Sequence, residues 1–413
     1  MKTLTWNSTP ALMVALIATT LVTRVSTAYL SILAVGLAAA LVGATLWGRR
    51  VGTPVAIARA RMLVAVTGSA LAAVGVCGYA ASWLPWWRLG TDPASDPNTV
   101  GLALPLLALL VSTALTGVGV LAVAWAPWVW WVRHRLAPVA VVMSLTVLVI
   151  GIDLLRGGAW GLGSVFGLQP LVTGRSYGLS TLTYGVVASA AMLLGACLAS
   201  MLVRTGRSRT VPVIAVVAVG LATTYLVAAS DAGADVGGFP PLIVGTFLLG
   251  TAAAGRRLAA SSVFLSVLIA GAVVGVVMVA DWMRPTPDRT TLGRLVQQAL
   301  EGRAWDGLTG RVSGAVEVLT SSPGAWLVLL SVALWSYAVL ARRSVPHRRL
   351  HALWDYPLMH ACATTLLVVW VLAGLLNRPG LPLVATGLTL TGGVVLCVVA
   401  RGRTGLSAAS PDG

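Results

Sequence analysis

The residues best placed to do chemistry are acids and arginines at the borders of long apolar runs: Asp153, Asp231 and Asp281, with Arg156, Arg175 and Arg284 close to them in the chain. An ionisable side chain at membrane depth costs about 2.5–3.5 kcal/mol on insertion scales, so such border residues are the first candidates for function. Arginine grips phosphate or carboxylate through a planar fork of N–H donors, whereas a carboxylate holds a divalent cation or orients a hydroxyl. Asp235 joins them in the segment G-A-D-V-G-G-F-P-P at 233–241, where glycines permit a tight turn and close approach of backbone to a ligand. The competing reading is structural. Asp153 with Arg156, and Asp281 with Arg284, are i, i+3 pairs able to neutralise a helix end, and 233–241 is a plain turn.

Other chemistries fare worse. His347, His351, Asp355 and His360 have metal-like spacing, but Arg348 and Arg349 intervene and Pro357 interrupts the helix before His360, so no metal site and no cofactor is assigned. All four histidines fall on the side of the membrane opposite nearly all the carboxylates, which excludes a Ser-His-Asp triad. Cys77, Cys197, Cys362 and Cys397 sit inside apolar runs and read as small buried hydrophobes. Neither a Walker-type phosphate loop nor a dinucleotide fingerprint is present. No catalytic residue is assigned.

The elements that must position these residues follow from composition. The 413 residues are 57% hydrophobic and 10% charged, with a mean hydropathy of +0.90, which excludes a water-soluble globule. Runs of about 17–25 apolar residues cross ~30 Å of hydrocarbon as helices, because a helix pairs its own backbone amides. Twelve runs can be drawn, near 10–23, 26–47, 62–84, 101–125, 137–154, 181–203, 210–229, 239–254, 261–281, 325–341, 356–376 and 381–400. Arg24 and the shortness of the first run make eleven crossings the alternative. The expected fold is therefore all-α, a polytopic integral membrane helix bundle with N-terminal spans and a basic loop over 1–60, a multi-pass domain over 61–404 and a disordered tail over 405–413.

The formal charge of +16 suggests a polyanion partner until it is sorted by loop. Alternate connections then hold seventeen arginines and two acids, Asp355 and Asp412, against nine arginines and ten acids in the others. This is the signature of positive-inside orientation and not of a nucleic-acid surface. It places the protein in the inner (plasma) membrane with a cytoplasmic C-terminus, against an anionic inner leaflet. Trp83, Trp86, Trp87, Trp282 and Trp326 would mark the outer boundary, and Trp47, Trp125, Trp128, Trp130, Trp131 and Trp354 the inner one.

Two outer segments exceed turns. Residues 155–180, rich in glycine, suit a re-entrant or lid structure, since irregular backbone survives at membrane depth only when covered by protein or lining a wet cavity. Within 282–324, apolar residues at 292, 295, 296, 299 and 300, and again at 312, 315, 316 and 319, predict two amphipathic helices at the outer interface.

Several pieces, in order along the chain, carry a family resemblance: P-W-W-R at 85–88, the run from Asp153 to Gly178 ending G-R-S-Y-G, G-A-D-V-G-G at 233–238, and R-P-T-P-D-R-T-T-L-G-R-L-V at 284–296. They resemble the polytopic membrane region of actinobacterial cell-envelope proteins that elsewhere carry an extracytoplasmic domain of the alkaline-phosphatase superfamily. Leu179, Ser180 and Thr181 depart from the family pattern, as do Asn377 to Gly380 where it has an acidic turn, and the phosphatase-like domain is not expected within these residues. The resemblance implies an envelope location and a phosphate-bearing substrate, and it adds Arg88, Tyr177 and Asp288 to the candidate binding residues.

Together these readings predict a membrane protein that binds or translocates an anionic, phosphate-bearing envelope precursor at an outer-facing cavity, with membrane lipids around it. One alternative is a glycosyl- or phosphoryl-group transferase using a lipid-phosphate donor and an outer aspartate as base. The other is a membrane scaffold for an extracytoplasmic phosphatase-like partner.

Overall fold

The computed structural model describes residues 9–84, 86, 103–126, 134–167, 178–229, 233, 235, 237–286, 289, 291–302, 320, 323–377 and 380–402. Among these every regular element is a helix. In chain order they are α1 (Thr9–Val51), α2 (Pro54–Ala80), α3 (Ala103–Ala124), α4 (Ala137–Leu155), the short α5 (Ala159–Gly163), α6 (Thr181–Arg204), α7 (Thr210–Ala228) and α8 (Phe239–Ala253). Then follow α9 (Ala260–Trp282), α10 (Thr291–Leu300), α11 (Pro323–Leu340), the short α12 (Val345–Arg349) and α13 (His351–Trp354), α14 (Met359–Leu376) and α15 (Gly380–Gly402). Nine helices among the described residues are long and apolar enough to cross a membrane, and α8 and α11 are shorter apolar ones. The chain is thus a helical membrane bundle.

The apolar runs become helices, the one expected over 62–84 starting eight residues earlier at Pro54, and local chemistry sets the ends. Thr53 accepts from the Ala56 amide with Pro54 at the first helical position, and Ser180 accepts from the Thr183 amide, so each satisfies an orphan N–H. The first two runs behave differently. Residues 10–23 and 26–47 are one helix, because α1 continues through Arg24 without a turn for 43 residues. That is about 64 Å at 1.5 Å per residue, twice the hydrocarbon thickness.

In lipid, apolar burial gives helices little reason to associate, so small residues that let backbones approach take over. The closest pair is α2 with α15. A Cβ on Gly68 would lie 2.6 Å from the Cys397 amide nitrogen, and one on Gly393 would lie 2.4 Å from that of Ala72. Helix α6 is the hub, packed by α2, α4, α7, α8, α14 and α15 and buried along most of its length. Helices α3, α9 and α11 lie outside, with Leu107, Val118, Phe264, Val276 and Leu327 exposed as lipid-facing side chains should be. Trp86 is not a boundary anchor; it is fully buried in a small cluster with Tyr29, Leu109 and Phe166. The four cysteines are free and buried.

Of the two expected amphipathic helices, the first is α10, folded onto the end of α9 with Leu292 buried. The second, at 312–319, lies outside the described residues, as does the 405–413 tail.

Candidate functional site

The ends of α2, α4, α6, α8 and α14 meet at one end of the bundle, and polar side chains join them. Asp153, at the end of α4, is 5% exposed. Its carboxylate accepts from the Tyr79 hydroxyl of α2 at 2.7 Å and from the amides of Trp160 and Gly161 at 3.1 Å each. The chain can return to it because Gly157 and Gly158 adopt φ of 95° and 71°, a left-handed turn that costs glycine little. Gly161 must itself be small, since a Cβ there would stand 2.9 Å from the Tyr79 oxygen. The following residues fold inward: the Ser164 hydroxyl donates to the Gly78 carbonyl at 3.3 Å, and the buried Phe166 ring lies against Gly78. The chain over 156–167 thus folds back onto the ends of α2 and α4, with Gly161, Ser164 and Phe166 buried and Gly157, Ala159 and Trp160 exposed.

The Phe166 carbonyl next accepts from Ser180 and Thr183 at the start of α6. One turn on, the Tyr184 hydroxyl donates to the Gly238 carbonyl at 2.7 Å. Gly238 belongs to the glycine-rich connection that precedes α8. Among its described residues further backbone groups are paired, with the Leu179 amide on the Gly233 carbonyl at 2.7 Å, and the Gly233 and Asp235 amides on Leu226 and Val227 carbonyls at 2.9 Å. Asp235 accepts from the amides of Gly237 and Gly238, each at 3.1 Å, an Asx turn that leads into the double proline of α8. Gly237 in turn packs against Asn377 at the end of α14, whose buried Nδ2 has no hydrogen-bond partner among the described residues.

Asp281 sits apart, on α9 at the edge of the bundle. It accepts from the Gly293 amide of α10 at 2.7 Å and lies 3.5 Å from the exposed Arg284 guanidinium, the i, i+3 pair expected. Nearby, the Trp282 indole donates to Gln297 at 3.1 Å, with the Arg289 guanidinium over its ring. By contrast, the Asp153–Arg156 pair does not form: Asp153 faces tyrosine and loop amides, and Arg156 is exposed. Asp153 and Asp235 thus belong to one hydrogen-bonded assembly, while Asp281 and Arg284 close a separate junction. Arg88, Arg175, Tyr177, Asp231 and Asp288 lie outside the described residues. A cavity of about 460 Å³ opens between α11 and α15 beside Trp335 and Thr391, and none of Asp153, Asp235 and Asp281 lines it.

At the opposite end, His347 and His360 come together with Trp354, ring centroids 5.3–5.8 Å apart. They serve the end of α11: His347 Nδ1–H donates to the Ala338 carbonyl at 2.9 Å and His360 Nε2–H to that of Val339 at 3.1 Å. These are two of the carbonyls a helix C-terminus leaves without partners. Among the described residues, no three His, Cys, Asp or Glu side chains meet as a metal site would require.

Sequence reasoning missed Tyr79, Tyr184 and Asn377. A tyrosine in an apolar run gives no local signal of the partner that its hydroxyl reaches 74 residues away. No protein-family model, no curated protein and no solved structure matches the chain.

Proposed function

We propose that the chain crosses the inner membrane eleven times, with α1 as a single crossing and the C-terminus cytoplasmic, and that its outer face binds and presents or translocates an anionic, phosphate-bearing envelope precursor. The observation that carries this reading is the polar assembly joining the ends of five helices, since it holds the irregular loops of that face at fixed positions. Asp153 and Asp235 are engaged by five donors, three on the former and two on the latter. They act here as positioning residues. The anion is assigned to the arginines Arg88, Arg156, Arg175 and Arg284 and to Tyr177, with Asp231 and Asp288 as counter-charges. Both carboxylates are taken up in holding backbone amides and the Tyr79 hydroxyl, which favours binding over transfer of a glycosyl or phosphoryl group. The envelope and actinobacterial setting rests on the family resemblance alone.

Native mass spectrometry of the purified full chain tests this. A co-purifying lipid-phosphate is expected on the wild type, with occupancy falling on the order of tenfold in Arg175→Ala, as loss of a charge-assisted phosphate contact implies. Unchanged occupancy in Arg175→Ala and Asp235→Ala at equal expression would overturn the reading.

A further inference from the structure

At the cytoplasmic end, three arginines from three distant parts of the chain converge on one buried tyrosine. Arg204 closes α6, Arg401 lies in the last turn of α15 and Arg135 precedes α4. The Arg204 guanidinium stacks over the Tyr356 ring, 4.2 Å from its centroid, and donates to the Asp355 carbonyl at 2.9 Å. Arg401 lies over the Trp125 ring at 4.9 Å. Arg135 reaches the next residue of α15, its Nη1 being 3.9 Å from where a Cβ on Gly402 would stand. Burial pushes the Tyr356 phenol up from its ordinary value, while the charges of Arg204, Arg135 and Arg401 pull it down, so all three fields meet there.

Like charges gathered this closely repel, and half-burying Arg135 and Arg401 adds a desolvation cost. Among the described residues carboxylates do not answer it for Arg135 or Arg204: neither forms an ion pair there, and nor does Asp355, although its own carbonyl is held by Arg204. Orientation in the membrane requires arginines on this side but not their convergence, because exposed ones such as Arg256 and Arg257 serve equally well. Stacking on an aromatic face fixes a guanidinium plane and leaves its N–H edge to meet an oxyanion.

We propose that Arg135, Arg204 and Arg401 form a phosphate-binding site at the cytoplasmic end of the bundle, taking the phosphate of an inner-leaflet anionic lipid or of a soluble phosphate compound. The site does not rest on the outer-face reading, and its residues lie at the other end of the helices.

The test uses the full chain in zwitterionic detergent, with binding read by native mass spectrometry and by thermal unfolding at constant ionic strength. Phosphatidylglycerol and inorganic pyrophosphate are the probes, and phosphatidylcholine and chloride are their controls. At least one probe is expected to bind the wild type more tightly than its control. Saturation by phosphatidylglycerol alone identifies the lipid as source, and saturation by pyrophosphate identifies the soluble compound. The Arg135→Gln, Arg401→Gln double variant should weaken that binding on the order of tenfold or more, against less than about twofold for Arg256→Gln, Arg257→Gln, which removes the same charge. Arg204→Lys keeps its charge and guards against a variant that fails to fold. It should still weaken binding several-fold, because lysine has no bidentate fork. Equal losses in the two double variants, wild-type binding by Arg204→Lys, or no preference for either probe would each overturn the proposal.

Discussion

Asp153 shows how one residue carries both stability and placement. Its Oδ2 takes the Tyr79 hydroxyl and the Gly161 amide, and its Oδ1 takes the Trp160 amide. In Asp153→Asn the new NH₂ must face at least one of these donors, leaving a buried donor unmet at a cost of about 1–3 kcal/mol. Tyr79→Phe removes one donor and strands none, so it should cost about 1 kcal/mol. Because the two side chains touch, a double-mutant cycle should return a coupling of roughly 0.5–3 kcal/mol. Denaturant unfolding in micelles measures all three quantities, and a cycle that sums to zero would show that the contact does not hold the loop. The chain signalled Asp153, since an acid at the end of an apolar run is conspicuous. Its partner was illegible, because i, i+3 reasoning reaches only chain neighbours and therefore favoured Arg156. At Asp281 the same reasoning found Arg284 correctly.

At the scale of elements, length and apolarity made the helices legible, because lipid demands that each span satisfy its own backbone. Which helices touch was not legible, since that depends on where two small residues face each other across distant segments. The α2–α15 crossing illustrates it. Gly68 and Gly393 lie 325 positions apart, yet a Cβ on either would collide with backbone atoms of the other helix, which cannot swing aside as a side chain can. Gly393→Ala should therefore lower stability by about 1–3 kcal/mol or more, as overpacking does. Gly36→Ala on the outer face of α1, where nothing lies within 4 Å, should stay within about 0.5 kcal/mol of wild type. Fluorescence-detected size exclusion after graded heating distinguishes the two. A Gly393→Ala protein as heat-resistant as Gly36→Ala would mean that α2 and α15 do not cross as closely as described.

For the whole molecule, the charge sorting and the packing agree on two ends. Residues that meet through Asp153 and Asp235 come from connections richer in acids, and those that meet around Tyr356 come from the arginine-rich ones. This gives a topology that can be read by labelling. Cys77, Cys197, Cys362 and Cys397 are buried in the folded chain, so an added cysteine reports alone against a silent background. With a membrane-impermeant maleimide on intact spheroplasts, Glu301→Cys should react at once, and Arg207→Cys only after permeabilisation. Thr9→Cys decides the crossing count, because a single crossing by the unbroken α1, as proposed, puts Thr9 and Val51 on opposite sides of the membrane. Under the proposed orientation, which puts Arg49, Arg50 and Val51 on the cytoplasmic side, Thr9→Cys should label from outside. Labelling from inside only would mean that the chain turns near Arg24, restoring twelve crossings and dividing α1 into two spans.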